Sequence, residues 1–333
     1  MTKVRLRNII YIITVLFTAC QPERDNPYDP KSIKTKPSII GGKVITKNGA
    51  PIENAKVSLL FQFVAKTIST SSDRFGNYSV DYIYNLNYGD SAIIIAEKDG
   101  YCPSQKSIIV DINRTDTINF TLDAIPQFSA ESITSYHEPF LPGDDIYLVN
   151  FSVRVFDADG LNDIESVYVL IPELNKIFPL YYTTNGIYKD TVPAEVFPDS
   201  TLESLIGKDC FFEVLSISQS RFRSNPYRLS RIIYEAPEPI SPTLDTIVNQ
   251  NFSCVWHKLS LPFPFTYEFE IYYIRPDFRL VLVYQETAIP SNDTMITIPT
   301  LEPYSGHFFW QVSVRDNLGN ISKSVHSLFY FYP

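Results

Sequence analysis

Three aspartates close together are the best metal candidates in the chain. Asp157, Asp159 and Asp163 fall in the run Asp157-Ala158-Asp159-Gly160-Leu161-Asn162-Asp163. Calcium takes six to eight oxygens, and a turn with two carboxylates and several carbonyls begins to supply them. The run has Leu161 at its fifth position and no distal Glu, so it is not a twelve-residue calcium loop. Asp-Gly turns between strands also form with no metal, so both readings stay open and no other cofactor is expected. The histidines His137, His257, His307 and His326 are scattered and show no metalloprotease spacing. Nucleophile-elbow, phosphate-loop and dinucleotide glycine motifs are missing from the sequence. Glu268 and Glu270 alternate onto one strand face about 7 Å apart, which approaches glycosidase geometry. Outward acids on a strand are usually just solvated, so no enzyme activity is expected.

Binding chemistry has more material. Aromatic residues reach 14%, with 22 Tyr and 23 Phe. Tyr181-Tyr182, Tyr272-Tyr273 and the terminal Phe329-Tyr330-Phe331-Tyr332 could line a glycan or protein surface, because such rings stack and anchor interfaces. The competing reading is that strand-rich cores need aromatic residues. The net charge of −9 argues against nucleic acid, which calls for a basic face. Tyr, Phe and 24 Pro against 12 Gly favour strands and turns over helices. Three lone cysteines, Cys102, Cys210 and Cys254, have no zinc spacing and read as buried small apolar residues.

The first residues carry an address. Lys3, Arg5 and Arg7 precede the apolar run Ile9 to Ala19, which is too short to span a bilayer and suits a signal-peptide core. Thr18-Ala19-Cys20 resembles the bacterial lipobox, with Phe17 where that family prefers Leu. The resemblance implies cleavage before Cys20, which becomes the first residue of the mature protein and is diacylated. The following Gln21-Pro22-Glu23-Arg24-Asp25-Asn26-Pro27-Tyr28-Asp29-Pro30 resembles the tethers of Bacteroidetes-like outer-membrane lipoproteins. Such a tether, running to residue 37, would reach roughly 55 Å when fully extended. Loss of residues 1–19 removes Lys3, Arg5 and Arg7 and no acid, moving the net charge from −9 to −12. The lipid on Cys20, and not the acidic body, would then hold the protein to the membrane.

Beyond the tether the pattern is that of three consecutive β-sandwich domains, over 38–123, 124–235 and 236–333. In the first, Tyr78, Val80 and Tyr82 alternate onto one face after the turn Asp73-Arg74-Phe75-Gly76-Asn77. The elements GGKVITKNGAPIENAKVSLL, SSDRFGNYSV and AEKDGY occur in the order found in carboxypeptidase regulatory-like domains, and this segment resembles that transthyretin-type sandwich. The family's sandwich is non-catalytic. The second segment, with Val149, Phe151, Val153 and Val155 before the Asp-Gly turn, resembles bacterial Ig-like repeats. The stretch Pro193 to Gly207 reads as a long connection with one helical turn. The third resembles a fibronectin type III-like module, with Trp256 as its core Trp and His307 to Asn320 as its long strand and turn. Phe269, Ile271 and Tyr273 should point inward and Glu268 and Glu270 outward. The Pro-rich junction Ala236-Pro237-Glu238-Pro239 should hold the last two domains semi-rigidly.

One triplet recurs: Asp, then Ser or Thr, then an aliphatic residue or Thr. It occurs at Asp90, Asp116, Asp190, Asp199, Asp245 and Asp293, where composition alone predicts about 1.4. The triplets resemble acceptors for Bacteroidetes-type O-glycosylation, on Ser91, Thr117, Thr191, Ser200, Thr246 and Thr294. Strand starts after Asp-containing turns enrich the same triplet, so that alternative stands beside it. The whole reads as a non-catalytic, lipid-anchored outer-membrane protein presenting a surface for adhesion, glycan capture or docking to an envelope complex. The alternatives are a structural spacer and an accessory subunit of a hydrolase.

Overall fold

The computed structural model describes residues 37–84, 89–111, 114–140, 143–244 and 246–333. The expected signal peptide (1–19), Cys20, the tether up to residue 36 and Asp245 lie outside the described residues. What is described is all-β, with short 3₁₀ turns as its helical content. No helix among the described residues is long and apolar enough to cross a membrane. The chain divides into two compact units, one ending at Ile125 and the other running from Pro126 to Pro333.

The first unit holds β1 (Ser38–Thr46), β2 (Lys56–Phe61), β3 (Lys66–Ser71), β4 (Asn77–Tyr82), β5 (Ser91–Glu97), β6 (Tyr101–Cys102), β7 (Ser104–Ile109), β8 (Thr115–Thr117) and β9 (Phe120–Ala124). One sheet runs β4-β1-β9-β6 with β8 beside β1, and the other runs β3-β2-β5-β7. Period-two alternation builds this sandwich: in β4, Tyr78, Val80 and Tyr82 are buried and the residues between them exposed. They meet Val57, Leu59, Ile94 and Phe120 in one core. The Asp73 carboxylate fixes the turn into β4, accepting the backbone N–H groups of Phe75 and Asn77 at 2.8 Å each. Gly76 follows with φ 77°, and a Cβ there would stand 2.5 Å from the Val44 carbonyl oxygen.

The second unit begins with β10 (Gln127–Glu138), β11 (Ile146–Phe156), β12 (Ile164–Ile171), β13 (Lys176–Thr184), β14 (Ile187–Pro193), β15 (Phe211–Ser216) and β16 (Arg221–Arg223). β13 turns the corner of this sandwich: Lys176 to Leu180 pair with β12, whereas Tyr181 to Thr184 pair with β14. A strand that changes sheets folds the layer over its own apolar face. Val149, Phe151, Val153, Val167, Val169, Phe212 and Val214 fill the space between. The stretch after β14 forms three successive 3₁₀ turns, Ala194–Val196, Pro198–Ser200 and Leu202–Leu205, where one helical turn was expected. Leu202 and Leu205 fasten it to the core.

The chain continues through β17 (Pro239–Ser241), β18 (Ile247–Val248), β19 (Phe252–Trp256), β20 (Phe265–Ile274), β21 (Leu280–Pro290), β22 (Met295–Ile298), β23 (Gly306–Asp316), β24 (Ile321–Lys323) and β25 (Ser327–Phe331). Its core centres on Trp256, stacked on Phe269 at 6.0 Å and tilted against Trp310 at 6.5 Å. The buried Trp310 indole N–H donates to the Pro242 carbonyl at 2.7 Å, as a buried indole must find an acceptor. Ile232 belongs to the preceding core and Ile233 to this one, so the hand-over precedes the expected boundary by a few residues. The two cores share one sheet, ordered β16-β15-β12-β13-β14-β11-β10-β24-β23-β20-β21.

The Gly76 turn yields a stability test. Gly76→Ala is expected to cost about 2 kcal/mol, from left-handed backbone and the clash with Val44. A thermal melt within a degree of the parent would show that the turn is not under that constraint.

A candidate binding face and the joint beside it

Alternation along β20 and β23 sorts the side chains of the last sandwich. Tyr267, Phe269, Ile271, Phe308, Trp310, Val312 and Val314 are buried in its core. The residues between them face outward. Near β10 they are polar and paired: Arg315 Nη2 bonds Glu268 Oε2 at 3.1 Å, and Lys323 Nζ lies 3.9 Å from Glu270. Gln285 Nε2 also donates to Glu270, at 3.3 Å. Both carboxylates suggested by strand spacing are thus charge-compensated, which gives neither of them the environment of a general acid.

Farther along the same strands the outward positions turn apolar. Leu328, Phe309, Tyr272 and Leu282 are successive cross-strand partners and make one row. Ile247, Tyr330 and His307 make the next, and the paired Ile274 and Leu280 extend it. Within the first row Tyr272 stacks on Phe309 at 5.0 Å, and Phe309, buried at 5% exposure, is covered in turn by His326 at 4.3 Å. Ile247 is 68% exposed, Leu280 55% and Leu282 44%. The solvent face of an antiparallel sheet is ordinarily polar, and contiguous apolar exposure marks an interaction surface in a way that single residues do not. Two grooves of about 350 and 660 Å³ cross the face and share His307, Leu328 and Tyr330 as walls. At its end the β20–β21 turn carries Phe278, whose φ is 61° and whose ring is 86% exposed. The Phe278 N–H closes the turn onto the Arg275 carbonyl at 2.8 Å, while its ring gains no burial to offset the left-handed backbone.

The inner border of the face is a joint between two sandwiches. β10 pairs in parallel with β24, setting Tyr136 beside Ile321 and His137 beside Ser322. His137 Nδ1 lies 2.8 Å from Ser322 Oγ and Nε2 lies 3.1 Å from Asp145 Oδ2, with the ring flat on Tyr147 at 4.4 Å. This is a Ser-His-Asp series, yet Ser322 is fully buried and His137 2% exposed, out of reach of any substrate. The imidazole is also reversed relative to a hydrolase triad, with Nδ1 rather than Nε2 toward the hydroxyl. The series is a rivet.

More polar contacts follow it. The Ser135 N–H donates to Asn320 Oδ1 at 2.8 Å, and Asn320 Nδ2 donates to Asp316 Oδ2 at 2.9 Å. Arg231 lies 3.5 Å from that carboxylate and stacks over Phe263 at 4.2 Å. Glu138 accepts the Tyr136 hydroxyl and lies 3.6 Å from His326. The His326 contact, followed by the Tyr136 hydrogen bond and the Lys323 charge, holds its carboxyl down at about 2 against the upward push of burial.

The residues singled out by sequence fall in different places. Tyr272 faces outward in the apolar face, whereas Tyr273 points inward against Tyr304 and Phe308, at 5.0 and 5.1 Å, and stays half-buried at the wall of the larger groove. Tyr181 and Tyr182 are exposed on β13, with Tyr182 edge-on to Tyr188, and they do not join that face. In the Asp-Gly turn, Asp157 Oδ1 accepts the Asp159 N–H at 2.8 Å and Gly160 closes the turn onto the Asp157 carbonyl. That role for Asp157 needs no ion, although Asp159 and Asp163 carry carboxylates that could serve calcium. Of the six hydroxyls, Thr117, Thr191 and Ser200 are exposed and Ser91, Thr246 and Thr294 half-buried. Cys210 and Cys254 are buried free thiols and Cys102 is half-buried; burial pushes Cys210 up to about 12. Sequence reasoning missed Ile247, Leu280, Leu282 and Leu328. The uninterrupted apolar run Leu280-Val281-Leu282-Val283-Tyr284 was the available signal, because a strand with one solvent face should alternate.

The joint has a definite pH signature. An unfolded Glu protonates near 4.5, whereas folded Glu138 keeps its charge down to about 2. Its contribution is therefore complete above about pH 4.5 and is lost as pH falls through 2. Glu138→Gln is expected to melt below the parent at pH 7, with the gap closing between pH 4.5 and 2. An equal gap at pH 7 and pH 2 would contradict the charge-based account.

Residues 39–123 match the carboxypeptidase regulatory-like domain family. No curated protein matches the chain. Among solved structures, it is similar to a DUF3823 family protein from Parabacteroides merdae, at 12% identity over 59% of this chain and 100% of that one, with a TM-score of 0.26. It is similar also to the major pilin subunit BcpA of Bacillus cereus, at 8% identity over 86% and 91% of the two chains, with a TM-score of 0.32. The FN1–FN3 domains of chicken CNTN1 share 10% identity over 90% of this chain and 100% of theirs, with a TM-score of 0.34. At such scores these likenesses say nothing of function. The family match is confined to residues 39–123, which lie in the first unit.

Proposed function

We propose that this chain is a non-catalytic, lipid-anchored protein of the bacterial cell envelope that presents a binding surface on its last sandwich. The observation that carries the binding role is the outward face of β18, β25, β23, β20 and β21, where two adjoining rows of apolar side chains replace the polar ones that water favours. The anchor draws on Lys3, Arg5, Arg7, the short apolar run and Thr18-Ala19-Cys20. Adhesion, glycan capture and docking within the envelope would all use such a face. A spacer role has its own support in the joint, because a sheet that runs through two cores transmits orientation as a hinge could not.

Fractionation of cells expressing the parent and Cys20→Ala tests the anchor. The parent is expected in the membrane fraction and Cys20→Ala in the soluble one. Retention of Cys20→Ala by the membrane would overturn the anchor. Protease added to intact cells then reports the side: cleavage places the face toward the surroundings, and protection places it toward the periplasm.

A further inference from the structure

We propose that the occupant of the apolar face is a second copy of this chain, related by a two-fold axis that runs across the strands. This rests on the reading of that face as a binding surface, and it names the partner.

Size comes first. Ile247, Leu280, Leu282, Leu328 and Tyr330 are all at least a third exposed, and the half-buried Tyr272 and Ile274 fill the space among them. With Leu244 and Phe278 at the rims, 69% and 86% exposed, the open apolar surface is on the order of the 800 Å² that each partner contributes to a standard protein interface. That is more than a sugar ring or two would cover. It is what one side of a dimer needs.

Charge selects the partner. Beyond the second row, the β20–β21 turn exposes Arg275 and Arg279, with Asp277 between them. Beyond the first row lies Glu270, with Lys323 3.9 Å away as its present cation. A two-fold axis across the strands reverses strand direction while keeping β20 above β20. It lays the Ile274 and Leu280 row of one copy on the Tyr272 and Leu282 row of the other. It also sets each arginine turn over the other copy's Glu270, once on either side of the axis. An axis along the strands would carry the arginines away from Glu270 instead. Two apolar rows between opposite charges at the two ends therefore make a self-complementary surface, as an isologous contact requires. Asp277 leaves the turn one positive charge for the other copy's Glu270, while the net charge of −9 on each copy opposes association and makes added salt favour the dimer.

The chain from residue 21 onward, without leader or lipid, is to be sedimented over a concentration series up to about 100 µM. The parent is expected to reach the dimer mass and Leu282→Lys to remain monomeric with an unchanged melt, since Leu282 is a surface residue. Arg275→Glu/Arg279→Glu and Glu270→Lys should each dimerise at least tenfold more weakly alone. Mixed together they should form a heterodimer, because both turn contacts are then between opposite charges. A dimer that survives Leu282→Lys, or variants that do not rescue one another, would overturn the proposed packing. If the parent stays monomeric, a printed glycan array separates the remaining cases. Glycan binding lost in Leu282→Lys would overturn self-pairing and keep the face as a binding surface. The same array result for parent and variant would overturn both.

Discussion

The parallel pairing of β10 with β24 is the contact on which the second unit depends. Each strand would otherwise be a bare sheet edge, with backbone donors and acceptors open to any passing strand. Joined, they close two edges at once and carry one sheet from one apolar core to the next. The polar groups that this buries are matched to one another: His137 to Ser322 and Asp145, Ser135 to Asn320, and Asn320 to Asp316. A buried polar cluster stabilises a unique arrangement when its members find partners, and these do. The attitude of the last sandwich to its neighbour is therefore set by ladder hydrogen bonds and a line of buried side chains. Pro239 lies in β17, paired with Trp256 of the last sandwich.

The joint gives the apolar face its meaning. On the outward side of β20 and β23, polar and apolar residues are segregated by distance from β10 and not mixed. Close to it, Glu268, Glu270, Lys323 and Arg315 pair off. Away from it, the outward positions are Tyr272, Ile274, His307 and Phe309, continued by Leu280, Leu282, Leu328 and Tyr330. A partner that covered the far half would meet a surface held by two cores through one sheet, and would lose little freedom in ordering it. Pre-organisation of that kind lowers the cost of association.

Much of the fold was legible because burial and alternation coincide. Tyr78, Val80 and Tyr82, the Trp256 core, and the inward series Phe269, Ile271 followed from period-two patterning alone, and the family resemblance of 39–123 rested on turns that the structure explains atom by atom. The joint was not legible. Its partners lie 185 residues apart, and nothing local to His137 tells of Ser322. β13 was opaque for a related reason, since a strand that changes sheets midway reads as two faces at once. The face was half visible. Tyr272-Tyr273 attracted notice as a pair, but neighbours on a strand point to opposite sides, so only Tyr272 faces outward. Leu280 and Leu282 hid within an apolar run that passes for a buried strand, and only the sheet order shows that β21 is at an edge.

Side-chain oxidation by hydroxyl radicals, read residue by residue, tests the central claim that this face is covered in its working state. The chain would be footprinted in isolated envelopes and again as dilute purified protein, with exposed Tyr181 and Tyr182 as internal references. The account predicts that Leu280, Leu282, Leu328 and Tyr330 are protected in the envelope and reactive at dilution, while the references react alike in both. Equal reactivity of all six residues in the two states would contradict it.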